Sequence, residues 1–344
     1  MDNQSVPLPL GFSQCTKEKD DFKRLLCEIN TLKEAGEILT SYPPRTFKPY
    51  TAHHWTILKL IFLKMYVRDV YTPIIGRRYP FMVFIDPFAG TGLNTYKEAK
   101  IYIPGSTLIA WFFATFPFDK VYAIGYEDID YRVLKLRLER YIPPSKLWIA
   151  KGDANILIDQ ITKDLREMKE KFGGVHFLAF IDPECFEAQW QMIEKLIELE
   201  NYGILGDFII LLQSRLIART IGRIRLGEKI DTRIIDLFFG TKEWAFLIDL
   251  PSGELEKGIM DFYLERLKEL KSRALIEVIS IELFRAIHYY LIYLTRETKR
   301  KSPYLATVRW LKDFVENAEK RYVDRAIRVA LGMEKMIDDY LRKQ

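Results

Sequence analysis

Apolar positions along the chain recur with two periods, and the period changes where the elements change. From 17 to 39, Phe22, Leu25, Leu26, Ile29 and Leu32 fall at helical spacing, which predicts an amphipathic helix after a loose arm over 1–17. Tyr42-Pro43-Pro44-Arg45 ends that helix and begins a linker. A second helix is predicted over 52–71, stopping before Pro73. Short apolar runs then alternate with amphipathic stretches. The runs predict strands near 81–86, 121–126, 147–150, 176–182 and 205–213; the stretches predict helices near 105–115, 130–140, 154–171 and 188–200. Such alternation predicts an α/β chain with a mostly parallel sheet and helices on both faces. Residues 214–272 break the alternation and read as several helices rich in Arg and Lys. Two long strand-like runs, 274–283 and 287–295, follow with only a few residues between them, which predicts an antiparallel hairpin. The tail from Pro303 reads as helix, with Leu305, Val308, Leu311, Val315, Tyr322, Ile327, Met333, Met336 and Tyr340 as its apolar positions. The expected units are an arm and helix over 1–50, a main domain over 51–302 with a helical insertion at 214–272, and a helical extension over 303–344.

Composition narrows the class. A chain of 344 residues with 49% hydrophobic and 29% charged residues reads as globular, long enough for one large α/β domain with extensions. The net charge of +5 permits an acidic partner without demanding one. Arg215, Arg219, Arg223, Arg225, Lys229 and Arg233 form the densest basic stretch; it reads either as a phosphate-facing patch or as a solvated helical face. Cys15, Cys27 and Cys185 include no C-x-x-C pair, so a disulfide framework and a zinc finger are not expected, and a reducing cytoplasm is. His53, His54, His176 and His288 show no metal-ligand spacing, and no metal site is expected. No apolar run reaches membrane-spanning length, and the first residues lack a signal pattern. Abundant Lys, Arg, Glu, Ile and Tyr are consistent with a thermophilic source.

The chemistry centres on Phe81 to Gly92, FMVFIDPFAGTG: an apolar run, then Asp86, Pro87 and Phe88, then a turn containing Gly90 and Gly92. A buried strand feeding a glycine turn brings backbone amides close to a nucleotide-like ligand. The spacing is neither G-x-G-x-x-G nor a P-loop. This turn resembles the S-adenosylmethionine (SAM) turn of Rossmann-like methyltransferases. Further along the chain stand His54-Trp55-Thr56 with Lys59-Leu60, Tyr66 and Tyr71, Gly105-Ser106-Thr107, Phe180-Ile181-Asp182-Pro183, Phe239-Gly240-Thr241 with Trp244, and His288-Tyr289-Tyr290-Leu291-Ile292. In this order, over roughly 52–294, they resemble the three-Cys-motif partner protein family. The resemblance implies a SAM-methyltransferase fold and a gene association with a three-Cys-motif protein similar to radical-SAM enzymes. Five parallel strands closed by a hairpin fit that fold, whereas a dinucleotide dehydrogenase would continue with parallel units.

Within this frame, Asp86 would accept from the ammonium of SAM. Glu127, at the end of the second strand, would accept both ribose hydroxyls, with Asp128 and Asp130 as rivals. Gly92 and Glu127 are about 35 residues apart, against about 20 in dinucleotide sites, and the excess falls in 93–104, read as a long loop able to cover the ligand. Asp153, followed by Ala154, would take the adenine amino group, or cap the next helix, or both. Asp182, Pro183 and Phe186 occupy the place of the D-P-P-aromatic motif of amino-directed nucleic-acid methyltransferases, but Glu184 replaces the second proline and Phe186 is displaced by one position. Asp182 would orient a nucleophile, and Phe186 or Trp190 would stack a planar substrate. Lys59, one turn after Trp55, would close the methionine end, or simply snorkel beside a core tryptophan. Cys185 reads as a small buried hydrophobe more readily than as a nucleophile. Two functions follow: a SAM-dependent methyltransferase acting on an amino nitrogen of a nucleic-acid base, or a SAM-binding protein that acts through its partner.

Overall fold

The computed structural model describes residues 14–40, 50–52, 54–96, 101–271, 273–283, 287–297, 304–321, 323–330, 332, 334 and 335. The first half of the chain contributes α1 (Asp21–Leu39), β1 (Tyr50–Ala52), α2 (His54–Met65), β2 (Phe81–Asp86), β3 (Leu93–Tyr96), β4 (Ile101–Pro104) and α3 (Ser106–Phe113). Alternating units follow: β5 (Lys120–Gly125), α4 (Asp128–Tyr141), β6 (Leu147–Lys151), α5 (Ala154–Phe172), β7 (Val175–Ile181), α6 (Trp190–Ile197) and β8 (Leu205–Leu212). The helices α7 (Ser214–Arg225), α8 (Arg233–Phe239) and α9 (Leu255–Leu270) precede the hairpin β9 (Ala274–Leu283) and β10 (Ile287–Arg296). The chain ends in α10 (Leu305–Arg321) and α11 (Val323–Ala330).

Seven strands form one sheet in the order β6-β5-β2-β7-β8-β10-β9, and β10 alone runs against its neighbours. This is the Rossmann-like α/β arrangement the alternation predicts, closed by the expected hairpin. Central parallel strands are covered on both faces and so read as unbroken apolar runs; β7, VHFLAFI, is buried throughout. Successive side chains of β2 feed opposite cores. Met82 and Phe84 join α1, α2, α3, α10 and α11, while Val83 and Ile85 join α5, α6 and the 214–272 helices. The tail helices spend their apolar positions inside the first of these cores, through Leu305, Val308, Leu311 and Val315. The chain reverses its winding between β2 and β7, and the carboxyl ends of β2, β5, β6, β7 and β8 share one edge. Open sheets bind ligands at such a switch point.

Three expectations need correction. The second helix does not stop before Pro73: it continues as a π-helical stretch, Tyr66–Ile75, with Pro73 inside it. A proline ring clashes with the carbonyl one α-turn back, and the wider π register relieves that clash. Residues 93–104 are not a plain loop. Strands β3 and β4 pair antiparallel, and β1 adds to β3 in a small three-stranded sheet. Leu93, Ile101 and Ile103 bury one face of it, a period too short to register between turn residues. Cys15 and Cys27 are not free thiols but form a disulfide, with Cα atoms 5.6 Å apart. A short 3-10 turn, Gln14–Lys17, folds Cys15 back on α1, a proximity that a lone 12-residue separation does not advertise. This removes the support that cysteine usage gave to a reducing compartment. The helical positions Met333, Met336 and Tyr340 lie outside the described residues. Among the described residues no helix is long and apolar enough to cross a membrane.

A buried ionic cluster fastens α1 to α2. Glu28 accepts from both terminal nitrogens of Arg68, at 3.1 and 3.0 Å, and pairs with Lys64 at 2.5 Å; Glu28 and Lys64 are both fully buried. Burial works to raise the Glu28 carboxyl, but Lys64 and Arg68 outweigh it and hold it below its ordinary value. Burial likewise brings Lys64 down to about 8 despite its partner. Removing one member of a buried cluster strands the others. Glu28→Ala should therefore cost about 3–5 kcal/mol of stability, read by urea unfolding at pH 7. A loss below about 1 kcal/mol would show that the cluster is solvated and does not hold α1.

Candidate functional site at the carboxyl edge of the sheet

Asp86 ends β2 at the switch point and is completely buried. Its Oδ2 accepts from the Ser106 and Thr107 hydroxyls, each at 2.6 Å, which ties the strand end to the start of α3. Its Oδ1 has no hydrogen-bond partner among the described residues. Burial without a cation pushes the carboxyl up to about 6; the two hydroxyls oppose the rise, and the charge of Asp182 adds to it.

The turn after Asp86 needs its glycines for two separate reasons. Gly90 (φ 56°) and Gly92 (φ 74°) both lie in the left-handed region. A Cβ on Gly90 would meet nothing within 4 Å, so the turn opens onto free space there. Gly92 is closely packed: its carbonyl accepts from the Gly105 amide at 2.8 Å, and a Cβ on Gly105 would come within 2.8 Å of the Gly92 Cα. On the other side Arg137, buried on α4, donates to the Thr91 carbonyl at 2.6 Å. Burial lowers that guanidinium to about 10. Pro87 is buried beneath the turn and Phe88 half-buried against the second core.

Asp182 follows β7, the strand next to β2, and faces Lys59 from α2. The Lys59 ammonium lies 2.8 Å from Oδ1 and 2.7 Å from Oδ2, with both side chains about one-seventh exposed. The W-x-x-x-K helix thus reaches the edge where Asp86 sits, as the sequence reading requires of Lys59; the side chain of Trp55 lies outside the described part of the structure. Glu127, after β5, is the N-cap residue of α4, makes no capping bond and is exposed. Its rival Asp128 is taken up by Lys151 and Arg132, both at 2.8 Å. Asp153, after β6, is the N-cap of α5 and accepts from the Asn155 amide at 2.9 Å and from Asn155 Nδ2 at 2.8 Å, while Ala154 is buried. Four acids therefore stand in order along one edge.

The loop after Asp182 is locked by its own bonds. Gln213 donates to the Pro183 carbonyl at 3.0 Å, and Asn155 links both to the Glu187 carbonyl and to the Gln189 amide, each at 2.9 Å. Cys185 carries a positive φ of 56° at the crown of this turn. Burial pushes its thiol up to about 11, which keeps it protonated at neutral pH and leaves no thiolate nucleophile. One of the two stacking candidates is corrected. Trp190 is core: it is 2% exposed, lies edge-on to Tyr263, and a Cβ on Gly240 would strike its ring. Phe186 is half-buried and sets its ring at 90° to Phe238, so α8 already occupies one side of it. Four of the six basic residues of the patch have partners within the protein: Arg223 pairs with Glu228 and Arg233 with Asp231 at exposed positions, Arg215 pairs with Glu256, and Arg225 donates to the Ile248 carbonyl.

Other groups at the edge escaped the sequence reading. Ser106 and Thr107 were visible as a motif, but nothing in the sequence marks them as the donors to Asp86. Tyr126, Ile129 and Ile156 flank Glu127 and Asp153 and are 71%, 65% and 69% exposed. Apolar side chains left in water beside two acids make an edge able to hold a planar, partly apolar ligand with hydroxyl and amino groups.

The Asp86 carboxyl should show in stability. Its native value, raised to about 6 from 3.8, means that the folded state binds the proton more tightly. Its contribution is full below about pH 4 and is lost as the pH rises through about 6. Relative to Asp86→Asn, the parent chain should lose about 2 kcal/mol between pH 4 and pH 7, measured by urea unfolding of both proteins. A constant difference across that window would show that the carboxyl is not desolvated.

No protein-family model matches the chain, and no curated protein matches it. Among solved structures, protein LPL1258 from Legionella pneumophila is similar over 77% of this chain and 92% of its own, at 9% identity and a TM-score of 0.42. SAH-bound methyltransferase PaMTH1 from Podospora anserina is similar over 81% and 91%, at 13% identity and a TM-score of 0.34. The O-methyltransferase from Bacillus cereus, in complex with SAH, is similar over 78% and 100%, at 12% identity and a TM-score of 0.31; the likeness to all three is one of fold alone.

Proposed function

We propose that the carboxyl edge binds S-adenosylmethionine and that the chain is a methyltransferase. The observation that carries this is Asp86: a fully buried carboxylate whose Oδ1 has no hydrogen-bond partner among the described residues, beside a turn that opens at Gly90. A buried acid without a cation is costly, and a ligand ammonium set against Oδ1 would offset that cost. Glu127, exposed and uncommitted, is placed to accept the ribose hydroxyls. Tyr126, Ile129 and Ile156 are placed to cover the adenine, and Asp153 to accept its amino group beside its capping bond. When bound, SAM supplies an electrophilic methyl group. Asp182 is the residue to orient an acceptor N–H or O–H and hold its proton; alignment of this kind can contribute about 7–11 kcal/mol to a barrier. An amino nitrogen of a nucleic-acid base is the narrower acceptor reading. It rests on Asp182-Pro183, while the pairing of the 215–233 arginines within the protein gives it little phosphate-binding surface.

The second reading, a SAM-binding protein acting through a three-Cys-motif partner, is favoured by the same loop. Lys59 bonds both Asp182 oxygens, Gln213 bonds the Pro183 carbonyl and Phe238 covers one side of Phe186. Each acceptor-facing group is already engaged.

Calorimetric titration with SAM and S-adenosylhomocysteine tests the site. Binding should weaken about tenfold or more in Glu127→Gln, and about tenfold per pH unit below pH 6 as Asp86 protonates; no binding of either ligand overturns the reading. Methyl transfer from labelled SAM to RNA, DNA or protein should disappear in Asp182→Ala with SAM affinity retained. Binding without transfer to any acceptor would select the second reading.

A further inference from the structure

The opposite edge of the sheet carries a second set of groups. The amino ends of β7 and β8, the terminus of β10 and the end of the π-helical stretch surround a cavity of about 250 Å³. Arg78, Arg273 and Arg296 line it, with Tyr79, Tyr304 and His176. Asp182 and this cavity sit at the two ends of β7, roughly 20 Å apart at about 3.3 Å per residue.

Three arginines line this cavity without ion-pair partners among the described residues. Arg78 and Arg296 both act on the Tyr79 hydroxyl, opposing the rise that burial gives it, which places both charges near one point. Arg273 is one of two non-glycine residues with a positive φ, 54°, among the described residues. Its carbonyl accepts from the Glu297 amide at 2.9 Å, which closes the hairpin end and sets Arg273 beside Arg296. Two carboxylates also line the cavity: Asp207 is buried and accepts from Tyr66 at 2.6 Å and from Thr295 at 2.5 Å, and Glu297, next to Arg296 in the chain, is exposed. His176 is held by Tyr71 at 3.1 Å, and burial takes its ring down to about 4, so it is neutral at physiological pH. Three arginines thus stand against two carboxylates in the lining, with no ion pair between them among the described residues, beside two tyrosines.

We infer that this cavity is a binding site for a small phosphorylated molecule, whose phosphate is held by Arg78, Arg273 and Arg296 and whose body lies against Tyr79 and Tyr304. Guanidinium forks match phosphate oxygens in pairs. The volume is just below the roughly 300–1,000 Å³ of small-ligand sites, which suits a sugar phosphate or a mononucleotide and not a larger body. The site stands apart from the proposed SAM edge and does not depend on that reading.

The test uses ribose 5-phosphate as probe and ribose as its phosphate-free control, titrated calorimetrically into the full chain at low ionic strength. Ribose 5-phosphate should bind at one per chain with a Kd of about 1 mM or tighter, and ribose should not bind. Arg273→Gln and Arg296→Gln should each weaken binding about tenfold or more. Arg78 is exposed and outside the sheet, so Arg78→Gln should do the same at an unchanged melting temperature, which separates lost binding from lost folding. Arg219→Gln and Glu127→Gln should change nothing. Equal binding of ribose, an affinity indifferent to the three arginines, no binding of ribose 5-phosphate, or loss in Glu127→Gln would each overturn the assignment.

Discussion

A carboxylate sealed in the protein with half its hydrogen-bonding capacity unused is the constraint around which the carboxyl edge is built. Asp86 closes the central strand, and its Oδ2 draws Ser106 and Thr107, and with them α3, against the strand end. Gly105 then lies on Gly92, where a Cβ would not fit, and Arg137 grips the Thr91 carbonyl from the other side. The glycine turn is thus held from three directions while its open face, at Gly90, is left clear. The rigidity belongs to the frame and the vacancy to one oxygen, and that combination favours a cationic group arriving from outside.

The sheet separates charge along its length. Acids follow the carboxyl ends of β2, β5, β6 and β7, and arginines gather around the amino ends of β7 and β8. Between them the polar groups of the interior are paired with one another: Tyr66 with Asp207 and Tyr293, and Tyr71 with His176. Such networks are tolerated in a low-dielectric core only when their members are satisfied. Tyr66 and Tyr71 are prominent in the sequence motif, yet their hydroxyls serve this interior network and not the carboxyl edge.

The engaged loop after Asp182 gives the edge its ambiguity. Lys59 on both oxygens of Asp182 fixes the carboxylate and at the same time competes with any acceptor for it. Both proposed functions share one ligand site and differ only in whether that ion pair opens, which is a question of a few kcal/mol and one side chain.

The order of strands and helices, the hairpin and the acids Asp86, Glu127, Asp153 and Asp182 were legible in the sequence, because period and strand-end position are local properties of the chain. Local reasoning failed where a distant neighbour decided the outcome. Pro73 lies inside a π-helical stretch, β3 and β4 pair as strands with β1 added to β3, and Cys15 meets Cys27 across a turn. Trp190 carries stacking chemistry in sequence, but it is buried in the core edge-on to Tyr263 from the 214–272 helices. The sequence by itself determined which strands end in an acid and which turn must be glycine. Only the tertiary structure decided that Asp86 keeps an unpartnered oxygen, that Lys59 covers Asp182 and that three arginines from separate elements meet at the far edge. Those facts depend on contacts between residues far apart in the chain, and no local pattern encodes such contacts.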